Sequence, residues 1–164
     1  MELSEINRIS WELAPRAMMK ERGKWVVCSA GKLREMYECT TKEEFEEEIK
    51  RIVSSYNPPE DKRRNMEVFR RFGGDLFDKI RGMGREDVRR LMQYLLWNTR
   101  VLEDLFNSRG DNREEIIKNG IKRRFEAEGV DMALVDGILG YWRSNEGGRS
   151  HRDRRRGGRD HGRR

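Results

Sequence analysis

"REDVRRLMQYLLWNTRVLEDLF", Arg85 to Phe106, decides the fold class of this chain. Val88, Leu91, Met92, Leu95, Leu96, Leu102, Leu105 and Phe106 recur at helical spacing and make a wide apolar face over about six turns. An apolar set with this period suits a helix and not a strand, so the stretch predicts the central core helix.

The same period extends outward in both directions. Upstream, Leu3, Ile6, Ile9 and Leu13 share one face, with Ser4 as the expected N-cap. Pro15 then kinks or restarts this helix, which is expected to run to Arg22 and break at Gly23. "KWVVC", Lys24 to Cys28, is a short apolar run with no visible partner strand. Ser29 opens a helix carrying Leu33, Met36 and Tyr37, and Thr41 with Glu44 makes a capping box for the next. Its stripe is Phe45, Ile49, Ile52 and Tyr56, and Pro58-Pro59 end it. Met66, Phe69 and Phe72 face inward in the following helix, which Gly73-Gly74 is expected to stop, leaving "DLFDKIR" as a short helix or turn. Downstream, Asp111 and Glu114 form a second capping box, and Gly129 ends that helix. Leu134, Val135, Ile138, Leu139 and Trp142 mark the last one. These periods predict an all-α domain, a compact bundle of about six to eight helices, over residues 1–148. Its core is expected at 25–106, with an extra helical pair at 111–144 and a disordered Arg/Gly-rich tail at 149–164.

Charge separates body from tail. The chain has 36 Lys+Arg and 30 Asp+Glu, a net charge of +6. The eight arginines and two aspartates of Arg149–Arg164 account for that whole excess. The body is neutral overall, so any nucleic-acid surface on it must come from uneven placement of balanced charges. Both histidines, His151 and His161, are in the tail, which removes Ser–His, Cys–His and His–zinc chemistry from the body. With no convergent motif either, the expectation is a chain that is not an enzyme and takes no cofactor or metal. Cys28 and Cys39 lack CxxC spacing and read as reduced core thiols. No signal peptide or membrane-spanning run is visible, so a soluble, cytoplasmic protein is expected.

Two features could contact nucleic acid. Lys62, Arg63, Arg64, Arg70, Arg71, Arg81, Arg85, Arg89 and Arg90 crowd about thirty residues, with positions 63 and 70, and 64 and 71, one heptad apart on a shared helix face. Such a row is what phosphates need, since Lys and Arg contacts release counterions without reading sequence. The competing reading is that Glu60, Asp61, Glu67, Glu86 and Asp87 neutralise it. The tail, through Arg152, Arg154, Arg155 and Arg156, resembles arginine-rich disordered segments that add salt-dependent affinity; its competing reading is a solubilising appendage. Glu43, Glu44, Glu46, Glu47 and Glu48 read as a solvated helix face pairing locally with Lys50 and Arg51. Gly82-Met83-Gly84 reads as a turn, and Tyr94 and Trp97 as core or interface aromatics rather than base-stacking residues.

From "CSAGKLREMYE" onward, through "EEFEEEIKRIVSSYN", "PPEDKRRN" and "VRRLMQYLLWNTRVLEDLF", the chain resembles the small subunit of type III-A CRISPR effector complexes, the Csm type. The likeness spans roughly 25–106 and excludes the pair after Gly110 and the tail. Ser54 and Ser55 before Tyr56, and Pro58 and Pro59 after it, stand around the place where an aromatic-Gly-Arg turn is expected. The resemblance implies a non-catalytic, all-α, RNA-binding subunit in antiviral defence. Its copies would stack along the guide–target RNA duplex, touching guide or target RNA, each other, and the backbone and large subunits. By motif match it assigns RNA contact to Lys32 and Arg34. The alternative from a different class is a helical protein–protein interaction adaptor with an accessory nucleic-acid-binding tail.

Overall fold

A computed structural model describes residues 1–28, 63–146 and the isolated positions 43, 44, 47, 50 and 51. The helix expected from Ser29, the stripe Phe45–Tyr56, Cys39, Lys32, Arg34, Lys62 and the tail lie outside these residues.

Helix α1 spans Leu3–Leu13, starting from Glu2 rather than from a Ser4 cap. Ile6, Ile9 and Leu13 are buried as their spacing predicts, while Leu3 stays exposed. The helix does not continue to Arg22. Pro15 sits in the first turn of a short 3-10 turn, Ala14–Ala17, where its missing N–H costs nothing. The chain then becomes extended. Met18–Glu21 (β1) and Lys24–Val27 (β2) pair antiparallel, Met18 opposite Val27 and Glu21 opposite Lys24. The partner strand that "KWVVC" lacked is therefore the segment just before it, and the all-α expectation is corrected by this one hairpin. Its turn is Arg22-Gly23, with φ of 51° and 82°. Left-handed backbone at both central residues is type I′ geometry, which matches strand twist. Gly23 adopts it freely, whereas an arginine there costs about 1 kcal/mol.

A two-stranded hairpin is marginal alone and must dock. The next long helices supply the dock. Helix α2 is Arg63–Ile80, unbroken across Gly73-Gly74. Met66, Phe69, Phe72, Leu76 and Ile80 form one continuous buried stripe. Packing along that stripe outweighs the two glycines, whose cost is about 1 kcal/mol each. "DLFDKIR" is thus not a separate element. Helix α3 is Arg85–Phe106, with Val88, Leu91, Met92, Leu95, Leu102 and Phe106 buried, as expected. Leu96 and Leu105 pack at its margin. Helix α4, Arg113–Glu128, starts at Asn112 without a side-chain cap, so the Asp111 box does not form. Gly129 ends it with left-handed φ of 69°. Helix α5 covers 133–146, burying Val135, Ile138, Leu139 and Trp142. The described residues thus hold five α-helices of defined extent, fewer than six to eight, and are mostly helical. None of the described helices is long and apolar enough to cross a membrane.

Helix α3 is the spine. Helix α1 lies along it, and β2, α4 and the 3-10 turn also pack against it. Beta2's outward backbone groups, which would be a bare edge, are met by α3 side chains. The Trp25 N–H donates to Asn107 Oδ1 at 2.8 Å, and Asn107 Nδ2 donates to the Trp25 carbonyl at 2.8 Å. The Val27 N–H donates to Glu103 Oε2 at 3.1 Å. Asn107 in effect imitates a third strand. The Trp25 ring is buried, edge-on to Phe106 at 4.9 Å and tilted against Tyr141 at 6.2 Å. On the other side, buried Asn98 of α3 donates to Asn7 Oδ1 (3.1 Å) and Ser10 Oγ (2.8 Å) of α1. Asn7 and the Trp11 indole N–H both donate to Glu128 at the end of α4. This chain of polar groups fixes α1 between α3 and α4, and each buried member is satisfied, as burial demands. Gly120 lets α4 approach α3 closely, since a Cβ there would lie 2.5 Å from Leu105 Cδ2.

Glu146 closes the fold at the end of α5. It accepts from Lys20 Nζ at 2.5 Å and the Trp25 indole N–H at 3.0 Å, and lies 3.4 Å from Arg113 Nη2. Burial alone pushes its carboxyl up, but the Lys20 and Trp25 hydrogen bonds and the Lys20 and Arg113 charges outweigh it. The net effect holds the group below its ordinary 4.5. A carboxyl lowered in the fold contributes stability above its unfolded pKa and loses it as pH falls through the lowered folded value. Glu146→Gln is expected to reduce stability near neutral pH by roughly 1–3 kcal/mol. It should also flatten part of the acid loss below pH 4.5. Urea melts of both chains from pH 7 to pH 3 measure this; parallel acid profiles would remove Glu146 from the account.

Candidate nucleic-acid interface

Helix α2 exposes the face opposite its apolar stripe. Arg63, Arg64 and Arg71 are exposed on it, and Arg70 is half-buried on its flank. Toward its C-terminal end the charges are paired. Asp75 accepts from Arg16 at 2.8 Å, Lys79 reaches Glu12 at 3.3 Å, and Arg81 lies 3.9 Å from Asp78 with its guanidinium 5.1 Å from the Phe77 ring centre. Among the described residues Arg63, Arg64 and Arg71 have no such ion pair. Among the row's members Arg81 pairs with Asp78, a carboxylate outside the expected neutralising set, while Arg63, Arg64 and Arg71 meet no described carboxylate. At 1.5 Å rise per residue, Arg64 and Arg81 stand about 25 Å apart, so the sequence row is two separate clusters and not one.

Tyr141 of α5 locates the first cluster. Its hydroxyl donates to the Met18 carbonyl at 2.7 Å. Burial pushes the phenol up and Cys28 adds to this, while the charges of Arg71, Arg16 and Arg64 pull it down. Guanidinium groups from α2 and from the 3-10 turn thus lie within electrostatic reach of one tyrosine. Arg16, which the sequence reading left out, belongs to this neighbourhood; it is 48 positions from Arg64, and no local pattern links them. Cys28 is a free, buried thiol pushed up to about 12, so it stays protonated and inert, as expected of a core cysteine.

Helix α3 carries the rest. Arg85 and Arg89 are exposed in its first two turns, Arg90 beside them, and Arg100 further along. The N-terminal amine lies 3.6 Å from Asp87, so that carboxylate serves the N-terminus. Trp97 is 54% exposed and Tyr94 half-buried, their rings 6.1 Å apart and nearly perpendicular. Trp97 is therefore not a core aromatic. The spacing left this open because Leu96 and Trp97 are adjacent and either could mark the margin of the apolar face. Glu43, Glu44 and Glu47 are helical and exposed, consistent with a solvated face; Glu46 and Glu48 lie outside the described residues. No three His, Cys, Asp or Glu side chains gather as a metal set among the described residues.

Among the described residues the arrangement offers exposed cations and no metal-ligand set. It can neutralise phosphates on the α2 face and present an aromatic ring on the α3 face. Comparison with protein-family models, with curated proteins and with solved structures finds no match.

Proposed function

We propose that this chain is a non-catalytic RNA-binding protein, the small subunit of a type III-A CRISPR interference complex, the kind its sequence resembles. In this reading Arg63, Arg64 and Arg71 of α2 meet the sugar-phosphate backbone. Lys32 and Arg34 extend that contact by motif match. The tail adds weak, salt-sensitive affinity, and copies of the chain stack along the guide–target duplex against the backbone and large subunits.

One observation carries it: Arg63, Arg64 and Arg71 are exposed and make no ion pair among the described residues, although Asp75 and Asp78 of the same helix are engaged. A chain whose body is neutral thus leaves three cations of α2, Arg63, Arg64 and Arg71, without an ion pair among the described residues. Phosphate contact uses that arrangement, because cations not engaged by a neighbouring carboxylate are available to neutralise phosphates and release counterions.

The test is RNA affinity against salt, for the full chain and for residues 1–148, with thermal melting of each as control. Removing the tail is expected to weaken binding most at low salt and to reduce the salt slope, with melting unchanged. Residual affinity must remain in the body. If the truncated chain keeps its fold and binds no RNA at any salt, the body has no phosphate surface. The adaptor reading, which exposed Trp97 also supports, then takes precedence.

A further inference from the structure

Trp97 is a large apolar ring on an otherwise charged helix face. The other three tryptophans, Trp11, Trp25 and Trp142, are buried. Helical spacing sets Arg90 two turns before Trp97 and Arg100 one turn after it, on the same outward side of α3. Both arginines are exposed, and neither makes an ion pair with a described residue. Tyr94 stands edge-on to the indole at 85°, propping one edge and leaving a face open. Glu86 and Asp104 bound the strip at its two ends.

We propose that this strip is a stacking platform for single-stranded RNA: one unpaired base lies on the Trp97 indole, and the flanking phosphates meet Arg90 and Arg100. The chemistry is that of single-strand binding generally, an aromatic face that any base can cover within a row of cations that follows the backbone. Arg90 and Arg100 are about 15 Å apart along the helix, enough to hold phosphates on either side of a stacked base. A protein partner would also cover an exposed tryptophan. Two unpaired arginines around the ring favour a polyanion, because a protein surface would have to bring matching carboxylates to both. The platform rests on the RNA-binding reading but uses a different helix face from the α2 arginines. It assigns them different substrates: α2 meets phosphates of either duplex or single strand, and Trp97 needs an unpaired base.

The experiment titrates the full chain with octauridine and, separately, with a blunt-ended RNA duplex of two strands, reading intrinsic fluorescence and affinity together. Octauridine is expected to quench the emission of Trp97, the exposed indole. Trp97→Ala should abolish the quenching and weaken octauridine binding about 5- to 150-fold, the range that stacking of one base covers. Trp97→Phe should restore most of the affinity. Binding of the duplex should be unchanged in both variants. Arg90→Gln and Arg100→Gln should each lower the octauridine salt slope by about 0.7. If octauridine binds and depends on the α2 arginines, yet Trp97→Ala leaves affinity and emission unaltered, the platform is wrong and the α2 reading survives. If neither RNA binds, the RNA reading itself fails and the platform with it.

Discussion

Reversing Arg63, Arg64 and Arg71 together to glutamate is expected to cut RNA affinity by about two to three orders of magnitude at 50 mM salt and roughly thirtyfold at 200 mM. The estimate follows from counterion release. Each lost contact to a single strand removes about 0.7 from the slope of log affinity against log salt, so three remove about two. The loss is therefore largest where salt is lowest, and the wild-type and variant lines converge as salt rises. It should be nearly uniform across RNA sequences, because phosphate contacts carry no base information. Folding should hardly change, since the three side chains are exposed and exposed charges contribute little to stability. The measurement is a salt titration of RNA affinity in the full chain and in residues 1–148. The tail-less comparison isolates the body, as the tail alone supplies the chain's net charge of +6. Reversing Arg81 and Arg85 instead should do less, because Arg81 already lies against Asp78 and the Phe77 ring. Equal affinities and slopes for wild type and triple variant would move these arginines to the solvated-face reading.

Trp25→Ala is expected to destabilise the fold by about 3–5 kcal/mol, a large share of the 5–15 kcal/mol by which such domains are stable. Trp25 joins the hairpin to α3 and α5. It is 1% exposed, edge-on to Phe106 of α3, tilted against Tyr141 of α5, and its indole N–H donates to Glu146. Removing it leaves a cavity between hairpin and helices and leaves the Glu146 carboxylate short of a donor. The β2 edge, on a hairpin marginal by itself, then rests on Asn107 and Glu103, and β1 on its Lys20–Glu146 and Met18–Tyr141 contacts. Trp25→Phe keeps a ring but loses the donor, and should cost about 1–3 kcal/mol. Urea unfolding followed by far-ultraviolet dichroism measures both. A loss under 1 kcal/mol for the alanine variant would mean that the hairpin is an ornament and not a wedge.

The helices were legible because their information is local. The α3 face, the stripe of α2 and the apolar set of α5 each lie within a few turns, and a 3.6-residue period in that window has one structural solution. The hairpin was not legible. Its strands are four residues each, too short to display alternation, and its turn is Arg-Gly where a type I′ turn is usually announced by Asn-Gly or Asp-Gly. Pro15 by itself predicts a kink or a restart of the helix, whereas it sits in the 3-10 turn that leads into the first strand. Gly73-Gly74 was read as a stop, but local propensity is a weak prior beside a buried stripe of five side chains.

By itself, then, the amino-acid sequence determined a mostly helical body with α3 as its spine, a charge-neutral body beside a cationic tail, and the positions where arginines crowd. Only the tertiary structure decided which of those arginines are available. Arg16 meets Asp75 across 59 positions and Lys79 meets Glu12 across 67, whereas Arg63, Arg64 and Arg71 meet no described carboxylate. Likewise it decided that Trp97 is outside and that Asn98, its neighbour in sequence, is buried on Asn7 and Ser10. The physical reason is common to both. Period and propensity act between residues a turn or two apart, while ion pairing and burial depend on which distant segment arrives at a face, and α1 and the hairpin are the segments that arrive.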